Sequence, residues 1–194
     1  MRRIILASGS PRRSDILEQA GIPFEVFISH KEEIITKESP SEAVEELSKM
    51  KALDVAEHFI SHKDYLIIGA DTMVAYEGYK LGKPKDSEDA KRMLLMLQGK
   101  THQVYTGVTL VCDLEEEIRT HTFYAVTDVT MYPMSEAEIE AYVGTGEPYD
   151  KAGAYAIQGR CARYIKEIHG EYNNVVGFPI ARTIKEIKEL GLQL

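Results

Sequence analysis

The sequence predicts an α/β protein, and three observations carry that prediction. An apolar run of strand type, Ile4-Ile5-Leu6-Ala7, passes straight into a helix start at Ser10-Pro11, which reads as N-cap and first helical position. A second such run, residues 65–70 (Tyr-Leu-Ile-Ile-Gly-Ala), ends at Asp71. Two long β-prone segments, residues 101–112 and 118–132, flank an acidic tip at 113–117 and read as a hairpin set between capped helices.

Taken in order, the first helix stops at Gly21-Ile22-Pro23, and residues 24–28 alternate as a second strand. A polar loop containing Glu32-Glu33 leads to Ser39-Pro40-Ser41-Glu42, where an N-cap, a proline at N1 and a capping-box acid predict a long helix to about Phe59. One row of that helix, Val44, Leu47, Lys51 and Val55, is apolar except for the lysine, which either snorkels to solvent or faces a ligand. Asp71-Thr72 closes the buried run at 65–70, where open α/β sheets place metal and catalytic groups, although an aspartate there also caps turns. Glu77-Gly78 marks a turn and Leu81-Gly82-Lys83-Pro84 a tight loop, after which Ser87 caps a helix with Ala90, Met93, Leu94 and Leu97 on its apolar face. Pro133 ends the hairpin, Ser135 with Glu138 forms a capping box, and a short helix runs through Val143. Residues 144–159 form a Gly-rich loop of a length that often carries function. Residues 163–168 alternate as a strand, His169-Gly170 turns the chain, residues 172–176 return, and Pro179 opens a last helix bearing Ile180, Ile184, Ile187 and Leu190.

At 194 residues the chain suits one domain or two closely packed lobes, large enough to bury about 70% of its unfolded surface. Cys112 and Cys161 have no metal-ligand spacing and are too few for a disulfide framework; this fits a reducing compartment, with one bridge as the alternative. The apolar run after Arg2-Arg3 is too short for a signal peptide and no run spans a membrane, so a cytoplasmic protein is expected. A charge of −8, from 23 basic against 31 acidic residues, argues against a general nucleic-acid surface, so any anion must be held by a local basic cluster. The six histidines show no metal-binding spacing, and the pair His58/His62 reads as surface.

Chemistry collects at a few positions. Arg12 and Arg13 occupy the first turn of a helix, the end that basic residues normally avoid. Either an anion such as phosphate sits over the turn, or the pair is merely solvated. With Lys51 and Lys83 they make four cations, set against the carboxylates Glu33 and Asp71. That balance suits a triphosphate with a divalent cation, Mg²⁺ or Mn²⁺, and a water deprotonated by a carboxylate to attack phosphorus. The Walker-A pattern is absent from the sequence.

Five ordered stretches now resemble a known family: Leu6-Ala-Ser-Gly-Ser-Pro-Arg-Arg, Gly69-Ala-Asp-Thr, Leu81-Gly-Lys-Pro, the run from Gly146-Glu-Pro-Tyr-Asp-Lys to Gln158-Gly, and Asn174-Val-Val-Gly-Phe-Pro. They are similar to the motifs of the Maf nucleoside triphosphate pyrophosphatases, and the match runs from about Ile4 to Arg182. The resemblance implies a single Maf-like domain over residues 1–194: a curved mixed β-sheet flanked by helices, in two lobes with a central cleft. It implies cleavage between the α and β phosphates with Mg²⁺ or Mn²⁺, with Asp71 as catalytic acid and metal ligand and Glu33 as the second metal-linked acid. Ser8, Arg12, Arg13, Lys51 and Lys83 are implied to bind substrate, and Arg12, Thr72 and Gln158 to mark the branch acting on dTTP and UTP. A homodimer is implied as well. A glutamine amide suits a uracil or thymine edge, which offers acceptors beside an N3–H donor, whereas cytosine reverses part of that pattern. The chain departs from the pattern at Glu32-Glu33, where many relatives have Asp-Glu, which leaves open which glutamate meets the metal. It departs also at Ala156, commonly Gly, and at Asn173, commonly aromatic. The alternatives are a non-catalytic nucleotide sensor linked to septum formation, and the same reaction on a non-canonical purine triphosphate or on 7-methyl-GTP.

Overall fold

The computed structural model describes residues 2–59, 63–114 and 117–193. His62, half of the histidine pair, and part of the acidic hairpin tip lie outside them. The strands are β1 (Arg3–Leu6), β2 (Glu25–Val26), β3 (Tyr65–Tyr76), β4 (Tyr79–Leu81), β5 (Thr101–Leu114), β6 (Glu117–Met131) and β7 (Ile165–His169). The helices are α1 (Pro11–Gln19), α2 (Pro40–Ala56), α3 (Ser87–Leu97), α4 (Glu136–Val143), α5 (Tyr172–Val176) and α6 (Ile180–Glu189). The seven strands form one open mixed sheet in the order β2-β1-β3-β5-β6-β7, with β4 paired to β3, and helices flank it. β1 lies parallel to both β2 and β3, whereas β4 and β7 run antiparallel to β3 and β6.

Several local signals act as the sequence predicts. Pro11 and Pro40 each open a helix at the first position, and Ser135 and Glu138 make both bonds of a capping box. The apolar face of α3, Ala90, Met93, Leu94 and Leu97, is wholly buried. Three expectations are corrected. α3 is capped by Asp86, whose carboxylate accepts the Asp89 N–H at 2.8 Å, so Ser87 is its first helical residue instead of its cap. Residues 172–176 do not return as a strand: they wind into α5, because buried Asn174 donates to the Val104 carbonyl at 2.9 Å and to Thr127 Oγ1 at 3.0 Å. The side-chain amide docks the segment on β5 and β6, and the backbone closes its own helical turn. The third concerns Asp71 and is taken up below.

The described residues divide into two compact units. The first comprises Met1–Asp71, Thr106–Ala125 and Gly177–Leu194, the second Thr72–Tyr105 and Val126–Val176. In the first, Ile5, Ala7, Tyr65, Ile67 and Val111 pack with Ala52, Val55 and Ala56 of α2. In the second, α3 and α4 bury their apolar faces with Val104, Val129, Met131 and Tyr155. Cys112 and Cys161 are both buried and free, so the alternative of a bridge between them is not realised.

Within the second unit His102 is 2% exposed, and its Nε2 lies 2.8 Å from the Tyr155 hydroxyl. Nδ1 has no hydrogen-bond partner among the described residues. Burial pulls the ring down to about 4 from an ordinary 6.5. The native protein therefore holds a neutral imidazole that the unfolded chain protonates below 6.5. Stability from this site is complete above that value and is lost as the pH falls towards 4, by about 3 kcal/mol. Urea unfolding at pH 7 and pH 4.5 should show a smaller acid loss for His102→Gln than for the parent chain.

Candidate active site

β1 and β3 are near-continuous apolar runs because both faces of a parallel pair are covered. Their ladder runs from Arg3↔Tyr65 to Leu6↔Ile68, and the Ala7 N–H still donates to the Ile68 carbonyl at 2.8 Å. There β1 stops and β3 continues. Asp71 is thus not at the end of its own strand, as expected from sequence, but inside β3, three residues beyond the carboxyl end of its parallel neighbour. The reason is β4: Val74, Ala75 and Tyr76 pair with it antiparallel and keep the chain extended past the aspartate. The physical rule that sites gather at strand carboxyl ends is met by β1.

α2 brings Lys51 to this point. Two glycines let the helix lie directly on the sheet: a Cβ on Gly69 would stand 2.4 Å from the Ser48 carbonyl oxygen, and one on Gly107 2.2 Å from that of Val44. Ser48 Oγ, 2.9 Å from Thr109 Oγ1, adds a buried polar link between helix and sheet. Lys51 therefore does not snorkel to solvent. Its Nζ donates to Asp71 Oδ1 at 2.6 Å and pairs with Glu33 Oε1 at 2.8 Å. Glu33, not Glu32, is the glutamate brought to the lysine. Asp71 is 8% exposed, and burial holds its carboxyl above the ordinary aspartate range against the opposing charges of Lys51 and Arg13.

The turn from β1 into α1 supplies the second group. Arg13, 8% exposed, points into the protein: Nε donates to the Gly177 carbonyl at 2.9 Å and Nη1 to Ser8 Oγ at 2.8 Å. Ser8 Oγ also accepts the Ser10 N–H at 3.3 Å, so it braces the turn as well as the arginine. Burial pulls the Arg13 guanidinium down from its usual value, Asp71 draws it back up, and neighbouring Arg12, half-buried, pushes it down again. Arg13 is not a solvated surface residue. Ser10 makes no side-chain cap, which leaves the start of α1 open to an anion.

The remaining expected residues belong to the second unit. Thr72 is half-buried and follows Asp71 on β3, so strand alternation sends the two side chains to opposite faces. Lys83 is exposed on the loop after β4, and that loop is tied down where Gly82 accepts the Gly153 N–H at 3.0 Å. Gln158 is exposed on the turn before the 3₁₀ segment Arg160–Tyr164. Residues that sequence reasoning passed over include Gly177, whose carbonyl anchors Arg13, and the helix-seating pair Gly69 and Gly107. All but Gly107 lie in stretches already quoted as motifs, where the glycines themselves were the available signal.

As a metal donor set, Asp71 and Glu33 offer two hard carboxylates with the Lys51 ammonium seated between them. Among the described residues no group of three or more His, Cys, Asp or Glu is gathered to hold an ion. Two carboxylates are the donor type that hard divalent cations take together with waters and substrate phosphates.

The family model for Maf-like protein matches residues 3–190. The chain belongs to the Maf family. Among curated relatives, a dTTP/UTP pyrophosphatase of Agathobacter rectalis is 54% identical over 205 aligned positions, covering all of both chains. Proteins of the same name from Bacillus thuringiensis subsp. konkukian and Lachnoclostridium phytofermentans are each 48% identical over 195 positions, covering all of this chain and 98% of theirs. The open mixed sheet flanked by helices is consistent with a Maf fold.

Proposed function

We infer that this Maf protein is a nucleoside triphosphate pyrophosphatase acting on dTTP and UTP, releasing the nucleoside monophosphate and pyrophosphate. The observation that carries the chemistry is the buried Asp71, gripped by a lysine that also holds Glu33 and sensing the charge of a buried arginine. The substrate class comes from the names of the full-length relatives.

Asp71 is the proton acceptor. A carboxyl held above its ordinary range takes a proton from water more readily than a solvated one. The water oxygen attacks the α-phosphorus, the bond from that phosphorus to the α–β bridging oxygen breaks, and its electron pair leaves with pyrophosphate. The water proton passes to Asp71. Lys51 orients the acceptor through Oδ1, while Arg13, Arg12 and Lys83 take up charge developing on the phosphates. Ser8 holds the Arg13 fork at its working angle. A divalent ion held by Asp71 and Glu33 would supply Lewis-acid polarisation of the phosphoryl oxygens. Gln158 reads the pyrimidine edge, with Arg12 and Thr72 completing the selection. The same reading takes residues 1–194 as one Maf domain, a cytoplasmic setting, a homodimer and no nucleic-acid partner. The charge of −8 supports the last, and no helix among the described residues is long and apolar enough to cross a membrane.

The test is a panel of dTTP, UTP, CTP, ITP and 7-methyl-GTP with Mg²⁺ or Mn²⁺, with products separated by ion exchange. Turnover of dTTP and UTP to monophosphate and pyrophosphate is expected. Binding without turnover would favour a sensor, and preference for ITP or 7-methyl-GTP would move the substrate.

A further inference from the structure

The motif stretch around Gly146 contains a carboxylate to which the reaction gives no task. Glu147 opens a 3₁₀ turn (Glu147–Asp150) a short link after α4, and its side chain is turned back into the second unit instead of outward. Oε1 accepts the hydroxyl of buried Tyr142 at 2.8 Å, and Oε2 accepts the Arg160 N–H at 3.0 Å. The Tyr142 oxygen in turn accepts the Ala156 N–H at 3.2 Å. One carboxylate thus fastens both ends of the segment 156–160, one directly and one through a tyrosine. Gln158 stands at the middle of that segment.

The glutamate is itself fixed. Its N–H donates to Thr145 Oγ1 at 3.2 Å, and the Thr145 hydroxyl donates to the Tyr142 carbonyl at 2.7 Å. The next residue after Gln158 is shaped to fit: a Cβ on Gly159 would lie 2.2 Å from Glu147 Oε1 and 2.4 Å from its Cδ, so a side chain there would displace the carboxylate from the place it holds beside the turn. Tyr142 belongs to the apolar core of its unit, which gives the brace a rigid footing. An exposed glutamine on an unbraced turn would spread its amide over several orientations and lose the geometry that tells uracil from cytosine.

We propose that Glu147, acting with Tyr142, is a positioning residue that sets the orientation of the 156–160 turn and so determines base selection through Gln158. This rests on the reading that Gln158 meets the base. A charge-assisted bond to the Arg160 N–H is worth more than a neutral one, so the carboxylate, not merely an acceptor of its size, is required.

The test uses the full chain and its variants Glu147→Gln, Tyr142→Phe, Gln158→Ala and the double variant Glu147→Gln/Gln158→Ala. For each, kcat and KM are measured for UTP and CTP, together with the melting temperature. Glu147→Gln and Tyr142→Phe are expected to raise KM for UTP about tenfold, to lower kcat by less than KM rises, and to narrow the UTP-over-CTP preference about tenfold. In the Gln158→Ala background the Glu147 change should add no further loss of preference. The proposal is overturned if Gln158→Ala collapses the preference while Glu147→Gln and Tyr142→Phe leave it at the parent value. Equal loss of kcat on both nucleotides with a lowered melting temperature also overturns it, since that is what a purely structural glutamate gives. If Gln158→Ala leaves the preference unchanged, the base-reading role itself fails and takes the proposal with it.

Discussion

Asp71→Asn should leave the chain folded and lower kcat for UTP about 1,000-fold, the middle of the range for loss of a general base and about 4 kcal/mol of barrier. The amide keeps the size of the carboxyl and can still accept from Lys51, but it takes no proton from water. The fold should not suffer. Asp71 carries a carboxyl whose burial raises its pKa, so at neutral pH the folded state bears the cost of keeping it ionised, a cost the unfolded chain escapes. Removing the charge relieves that cost, and the melting temperature should stay level or rise while activity disappears. Retained turnover in this variant would assign the proton to another group, and a steep fall in melting temperature would mark Asp71 as structural.

Arg13→Ala should reduce kcat/KM for UTP by about 2 to 4 kcal/mol of transition-state stabilisation, the value of a desolvated guanidinium–phosphate contact. Burial decides the size. An exposed arginine at a helix start would be screened by water, whereas Arg13 is nearly enclosed and its fork is aimed by Ser8 and the Gly177 carbonyl. Arg13→Lys keeps the charge without the planar fork and should recover only part of the loss. An unchanged kcat/KM in the alanine variant, measured alongside its melting temperature, would show that Arg13 serves the turn alone.

The parts of this molecule that were legible in the sequence are those governed by local chemistry. Proline at the first helical position, the Ser135–Glu138 capping box and the period of α3 are each decided within a single element, and each appears as expected. What escaped depends on a distant partner. The end of the run at 65–70 looks like a strand terminus because Asp71-Thr72 interrupts its apolar character, yet β4 pairs the chain onward to Tyr76. Residues 172–176 have strand-like valines but lack a ladder, and Asn174 bonds to β5 and β6 instead. Glu186 on α6 is 5% exposed although it is charged: it lies 2.7 Å from His121 Nε2 and pairs with Arg182 at 2.6 Å.

The candidate site divides the same way. The residue types, two carboxylates among four cations, could be listed from the sequence, but whether Lys51 snorkelled or turned inward depended on how closely α2 lies on the sheet. Gly69 and Gly107 settle that, and a glycine's role in admitting a helix is visible only once the helix is in place. Which of Glu32 and Glu33 approaches Lys51 is likewise a matter of loop path, and the loop delivers Glu33.

The most direct test of the central claim is a single turnover of UTP in ¹⁸O-labelled water, with the label located by mass spectrometry. Attack by a water deprotonated at Asp71 on the α-phosphorus predicts UMP and pyrophosphate in equal amounts, with the label in UMP and none in pyrophosphate. Label in pyrophosphate, or release of UDP and orthophosphate, would contradict it.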